Sequence, residues 1–295
     1  MNDKLPIRPV DPTTIAASYR RIGIRPRMPD FGAWVEGVDL SGDLDKETCI
    51  ELRRAWLEFG VIFFRSQQKL SEARQLELVR VFGSAPYRGN DLIERAAQFP
   101  DVERIVVDSQ RRPYADVWHT DIPWRADPPI GTIIQIQEKP AVGGNTCWAS
   151  VRTAYDCLSG PMKACLEGLT AIHWHYNTRA RPHHVFANPD GGQVARALAA
   201  DPPAEHPVVM THPVTGRKSL YVNELFTSHI KDVHPTESSG LLRMLTDWLK
   251  LPEFQLHHEW EQNGVAVWDN FTVQHYANAD YWPALRVNQR VTFSL

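Results

Sequence analysis

The chain has 295 residues, 43% of them hydrophobic, enough to bury one large core. Its net charge of -3, from 32 Lys+Arg against 35 Asp+Glu with no basic run, offers no cationic excess for phosphates and argues against nucleic acid as a partner. No apolar stretch nears the roughly 20 residues that span a bilayer, and Met1 to Pro6 lack the apolar segment of a signal peptide, so the expected setting is cytoplasmic and away from membrane.

In chain order, the 22 prolines are scattered as turn markers and no repeat or low-complexity tract marks a boundary, so a single domain is expected over residues 1–295. It divides into an N-terminal extension (about 1–30), a helical and strand flank (31–100) and a strand-rich core (101–295). Leu52, Ala55, Trp56 and Phe59 recur at helical spacing over Glu47 to Phe59. Gly60 stops that helix, and Val61 to Phe64 read as a buried strand. Ser71 is placed to cap a second helix ending near Phe82-Gly83. From Arg104 onward, short β-branched runs alternate with turns: Ile105 to Val107, Ile130 to Ile136, Pro207 to Val209, Ser219 to Val222, Val265 to Val267, and Arg286 to Phe293. One amphipathic helix interrupts them, with Leu241, Leu242, Leu245, Trp248 and Leu249 on its apolar face before Pro252. The expectation is an α+β, mainly β fold: a double-stranded β-helix, or jelly roll, with helices packed outside it. The cysteines Cys49, Cys147, Cys157 and Cys165 fit neither metal spacing nor a disulfide framework and read as reduced packing residues.

Two stretches carry chemistry. In a strand, His119 and Asp121 would project from one face and share an ion, although His-x-Asp alone also fits an exposed strand end. On the last strand Arg286, Asn288, Arg290 and Thr292 fall on one face, with Val287, Val291 and Phe293 on the other. If the apolar face packs inward against neighbours, two arginines roughly 13 Å apart enter the barrel interior, where anionic ligands are their natural partners. An edge strand with solvated arginines is the alternative. Adjacent residues of a strand face opposite ways, so His183-His184 and His257-His258 are poor chelators and read as surface or supporting residues.

From about Gly32 to the C-terminus the chain resembles the iron(II)- and 2-oxoglutarate-dependent taurine/2,4-D dioxygenase family. The resemblance lies in Gly37-Val38-Asp39-Leu40, Trp118-His119-Thr120-Asp121, Gly143-Gly144-Asn145-Thr146, Thr211-His212-Pro213-Val214-Thr215-Gly216-Arg217-Lys218, Trp268-Asp269-Asn270 and Gln274-His275-Tyr276-Ala277-Asn278. It implies Fe(II) held by His119, Asp121 and His275. It further implies that Arg286, helped by the hydroxyl of Thr146, grips the far carboxylate of 2-oxoglutarate. The implied reaction consumes O2, releases succinate and carbon dioxide, and hydroxylates a substrate C–H.

Arg290 matches a position that often binds a sulfonate, sulfate or carboxylate, which implies a small anionic substrate; pairing with a protein carboxylate is the alternative. Phe226 matches an apolar wall position or is plain core. The chain departs from the taurine enzymes at Phe82 to Arg88, which lacks their substrate-binding His. It departs again at Tyr114-Ala115-Asp116-Val117 and at His173 to Arg179, so taurine itself is not the expected substrate. Arg88 and Arg179 are second anion contacts or solvated cations. Rival readings are a zinc-dependent hydrolase on the same ligand set and a non-catalytic jelly-roll binding protein. A homo-oligomer is left open.

Overall fold

The computed structural model describes residues 11, 14, 17–87, 94–175 and 202–295. Its main sheet runs β1 (Gly23–Pro26), β2 (Ala33–Glu36), β3 (Val61–Phe64), β14 (Val265–Asp269), β6 (Gly131–Glu138), β16 (Arg286–Ser294) and β4 (Ala85–Pro86), with β5 (Glu103–Val107) also on β16. Among the described residues, only β2 and β3 pair in parallel. A second sheet is formed by β13 (Gln255–His258), β7 (Thr146–Ser150) and β15 (Val273–Ala277). A third is formed by β12 (Thr227–Ile230), β8 (Thr170–His173) and β9 (Ala204–Pro207), and β10 (Val209–Thr211) pairs with β11 (Lys218–Leu220). The fold is mainly β with helices at its flank.

The period of two along each strand sorts the core. Ile62 and Phe64 of β3 join Ile133, Val291 and Phe293 beneath α1 (Lys46–Phe59) and α2 (Glu72–Phe82). Val61 and Phe63 point the other way, into a cluster with Ile134, Trp148, Leu256, Trp268 and Val273 between the main and second sheets. The caps read from sequence are in place: Gly60 ends α1 at φ 71°, and the Ser71 hydroxyl accepts the Arg74 N–H. The third amphipathic helix, α5 (Pro235–Leu249), begins before its apolar stripe. A capping box of His234 and Glu237 followed by Pro235 at the first position starts it on polar residues that carry no periodic signal.

Strand β16 is no edge. It is paired to β6 along one side and to β5 and β4 along the other, and Arg286 and Arg290 are 3% and 8% exposed. That removes the solvated-edge reading. Two other expectations change. The run Pro207 to Val209 is divided at Val208, whose N–H donates to the Leu169 carbonyl beside β8 while its carbonyl accepts the Tyr221 N–H beside β11, so the chain changes partners where β9 gives way to β10. The His-x-Asp pair lies on a bend instead of a strand, with only His119 forming a single bridge. Among the four free thiols, Cys147 and Cys157 are buried packing residues, but Cys165, in α4 (Gly160–Leu166) after α3 (Val151–Asp156), is exposed. Among the described residues no helix is long and apolar enough to cross a membrane.

Candidate active site

His119 and His275 meet backbone to backbone, each N–H donating to the other's carbonyl at 3.0 and 2.8 Å. Residues paired this way share a face, and the two imidazole centroids lie 4.1 Å apart. Just past Asp121 the chain turns at Ile122, a β-branched residue at φ 53°, a conformation that costs about 1–3 kcal/mol. The bend still delivers the carboxylate: ligand atoms of His119, Asp121 and His275 all lie within 4.8 Å of one another, and all three residues are buried.

The protonation states suit a cation. His119 donates Nδ1–H to the Val117 carbonyl at 2.7 Å, which puts the lone pair on Nε2. His275 turns Nε2 toward Asp121 Oδ1 at 4.0 Å, its ring packed on Trp268. Burial first, then His119, hold the His275 imidazole well below its ordinary pKa against the pull of Asp121, so it is neutral. Burial works to raise the Asp121 carboxyl, but the Arg290 guanidinium, both imidazoles and Thr132 outweigh it and hold the group below the usual carboxylate range. Thr132 donates its hydroxyl to Oδ2 at 2.7 Å and is itself hydrogen-bonded by Asn270, which accepts the Trp268 indole N–H. Two imidazoles and one oriented carboxylate on one side of a cavity form the donor set of a non-haem ferrous centre with open positions, and this chain's residues fit such an ion.

Arg286 lines the same cavity. It donates to neutral acceptors: the Gly144 carbonyl at 2.9 Å, Asn288 Oδ1 at 3.3 Å and Thr146 Oγ1 at 3.4 Å, with the Tyr281 ring 5.5 Å away. Among the described residues no carboxylate pairs with it, and burial lowers its pKa. Thr146 accepts from both Arg286 and the Trp260 indole N–H, which leaves its hydroxyl proton to donate. A buried guanidinium beside a hydroxyl donor is an unmet demand for a carboxylate.

Arg290 takes the pairing alternative. Its Nε donates to Glu103 Oε2 at 2.6 Å and its Nη1 to Asp121 Oδ1 at 3.0 Å; the two carboxylates overcome burial and raise its pKa. Phe226 walls the cavity near His119, with ring centroids 6.0 Å apart, and near Trp124 at 4.5 Å. Tyr114, its phenol pushed up to about 12 by burial, also lines the space, whose volume is about 100 Å³. Arg88, Arg179 and His183-His184 lie outside the described residues. His257 is exposed, while His258 stacks on Phe63 at 4.3 Å, away from the cluster.

Sequence reading missed Glu103, Thr132 and Trp260. Only Glu103 had a usable signal: extending the Ile105 to Val107 strand by two residues puts it on the face of Ile105 and Val107, both of which line the cavity.

The profile of the taurine catabolism dioxygenase TauD, TfdA family matches residues 23–292. An alkylsulfatase of Acinetobacter baylyi is 32% identical over 286 residues, covering 96% of this chain and 88% of the relative. An (S)-phenoxypropionate/alpha-ketoglutarate-dioxygenase of Sphingobium herbicidovorans is 30% identical, covering 86% and 88%. The crystal structure of a taurine dioxygenase from Burkholderia xenovorans superposes with a TM-score of 0.78 at 31% identity, covering 93% of this chain and 89% of that one.

Proposed function

The chain belongs to the taurine catabolism dioxygenase TauD, TfdA family and is a 2-oxoglutarate-dependent dioxygenase, and from that premise we propose that it hydroxylates an unactivated C–H of a small oxyanionic molecule. The substrate is a sulfonate, alkyl sulfate or carboxylate, and succinate and carbon dioxide are released. The catalytic unit is one domain over 1–295 built on a double-stranded β-helix. Fe(II) would be held by His119, Asp121 and His275. When bound, it supplies the activation of O2 and the oxidative decarboxylation of the co-substrate.

The residues do the rest. Arg286 presents a planar fork to the far carboxylate of 2-oxoglutarate, and Thr146 donates its hydroxyl to the same group. Trp260 fixes which way that hydroxyl points. Thr132 and Arg290 hold Asp121 ionised and oriented, and the Val117 carbonyl sets the His119 tautomer. Phe226, Trp124 and Ile134 form an apolar wall that keeps water from the reacting C–H. Arg290 turns its remaining N–H groups to the substrate head group.

The observation that carries this reading is Arg286, a buried cation that no carboxylate among the described residues pairs with, in the cavity of the His/His/Asp cluster. A zinc hydrolase would leave Arg286 and Thr146 without a task, and a binding module would leave the ligand cluster without one. Anaerobic addition of Fe(II) and 2-oxoglutarate should produce a weak visible charge-transfer band. Folded protein that binds Fe(II) yet gives no band would overturn the reading. Succinate release across sulfonates, alkyl sulfates and aryloxyalkanoates then identifies the substrate.

A further inference from the structure

Register alone puts Glu103 beside Arg290. Strand β5 pairs antiparallel with β16, and Glu103 lies directly opposite Arg290, as Val107 lies opposite Arg286. Directly opposed side chains sit close enough to pair, and here the carboxylate meets Nε at 2.6 Å. Glu103 is 2% exposed, and among the described residues its second oxygen, Oε1, has no hydrogen-bond partner. It does not line the cavity; it stands behind Arg290, which does.

With metal and co-substrate in place, the charges of the cavity cancel. The ion's two positive charges meet the two negative charges of 2-oxoglutarate, Asp121 balances one guanidinium, and Glu103 balances the other. Without Glu103 the site would carry one uncompensated positive charge, which a monoanionic head group would meet. With it, an entering anion brings net charge into a space walled by Ile105, Ile134, Phe226 and Trp124, where burial without a counter-charge is costly. Among the described residues, Arg290 nevertheless spends only two of its five N–H donors, on Glu103 and Asp121.

Resting on the reading of the site given above, we infer that Glu103 is a specificity-determining residue: it neutralises Arg290, so the head group is held as a hydrogen-bond acceptor and its negative charge adds little to affinity. The substrate class therefore extends to uncharged acceptors of the same shape, such as sulfones, esters and amides, and the cavity discriminates against dianions.

The test uses the full chain loaded with Zn(II) and N-oxalylglycine, which is redox-inert, and measures binding of butane-1-sulfonate and butyl methyl sulfone by calorimetry. The wild type should bind the two within about threefold of each other, and Glu103→Gln, which keeps an oxygen for Arg290 Nε, should bind the sulfonate at least about tenfold tighter with the sulfone unchanged. Glu103→Asp, which keeps the charge, should retain the wild-type ratio, an outcome that a purely structural role for Glu103 does not predict. A wild type that prefers the sulfonate by more than about tenfold overturns the inference, and this comparison needs no variant to fold. An unmoved ratio in Glu103→Gln overturns it too, as does failure of the loaded wild type to bind either probe. Loss of N-oxalylglycine binding itself would instead strike the assignment of Arg286, so the two failures are distinguishable.

Discussion

At Asp121, burial and function pull in opposite directions. A carboxylate this deep favours its neutral form, yet a cation site needs it charged, and the conflict is resolved by Arg290, two imidazoles and the Thr132 hydroxyl. Of these Thr132 is the most separable. Thr132→Val keeps the shape and deletes the donor, and should weaken metal affinity by about 10–100-fold with an unchanged circular dichroism spectrum, as read in an Fe(II) or Zn(II) titration. Arg286 makes a different demand, for geometry as well as charge. Arg286→Lys retains a cation but loses the fork, so the co-substrate dissociation constant should rise at least about tenfold in a 2-oxoglutarate titration of the anaerobic iron complex. An unchanged constant would mean that the far carboxylate is held elsewhere.

Strand β16 serves two masters by its period of two. One face gives Val291 and Phe293 to the helix-covered core, and the other gives Arg286, Asn288 and Arg290 to the cavity. The strand can be held in this register because Phe293 has a specific seat. It lies opposite Gly131 on β6, with the Trp56 ring 5.6 Å away. A Cβ on Gly131 would stand 2.4 Å from Phe293 Cζ and 2.9 Å from the Trp268 carbonyl oxygen. Gly131→Ala should therefore lower stability by about 1–3 kcal/mol, seen as a reduced denaturation midpoint, because neither strand can yield without disturbing the arginines opposite. An unaltered midpoint would show that the ring moves freely.

For the molecule as a whole, two histidines buried away from the His119, Asp121 and His275 cluster add to the response to acid. Burial, reinforced by His206, lowers His173 to about 3; burial, reinforced by Arg27 and Arg65, lowers His258 to about 3. Arg27 donates to His258 Nδ1 at 2.9 Å, a contact that needs the neutral ring. The unfolded chain takes up these protons from about pH 6.5 downward while the folded one does not. Each histidine therefore removes stability as pH falls from there toward 3, by about 1.4 kcal/mol per unit, and contributes nothing above it. The denaturation midpoint should fall steeply between pH 6 and 4, and His258→Asn should flatten that slope; an equally steep slope in the variant would place the acid sensitivity elsewhere. Much of this architecture is local and so legible in the chain. Helical spacing marked α1 and Gly60 its end, Ser71 and Phe82-Gly83 bounded α2, and alternation placed Arg286 and Arg290 on one face of the last strand. Motif order pointed to His119, Asp121 and His275. What local pattern could not hold is pairing between distant segments. Glu103 and Arg290 are 187 residues apart in the chain, and Thr120 binds the Asn270 carbonyl across 150. Such contacts are set by sheet order and register, which settle only when the whole core packs. For that reason the amino-acid order determined which groups are available for chemistry, and the tertiary structure alone decided that one arginine is left wanting an anion while the other already has two.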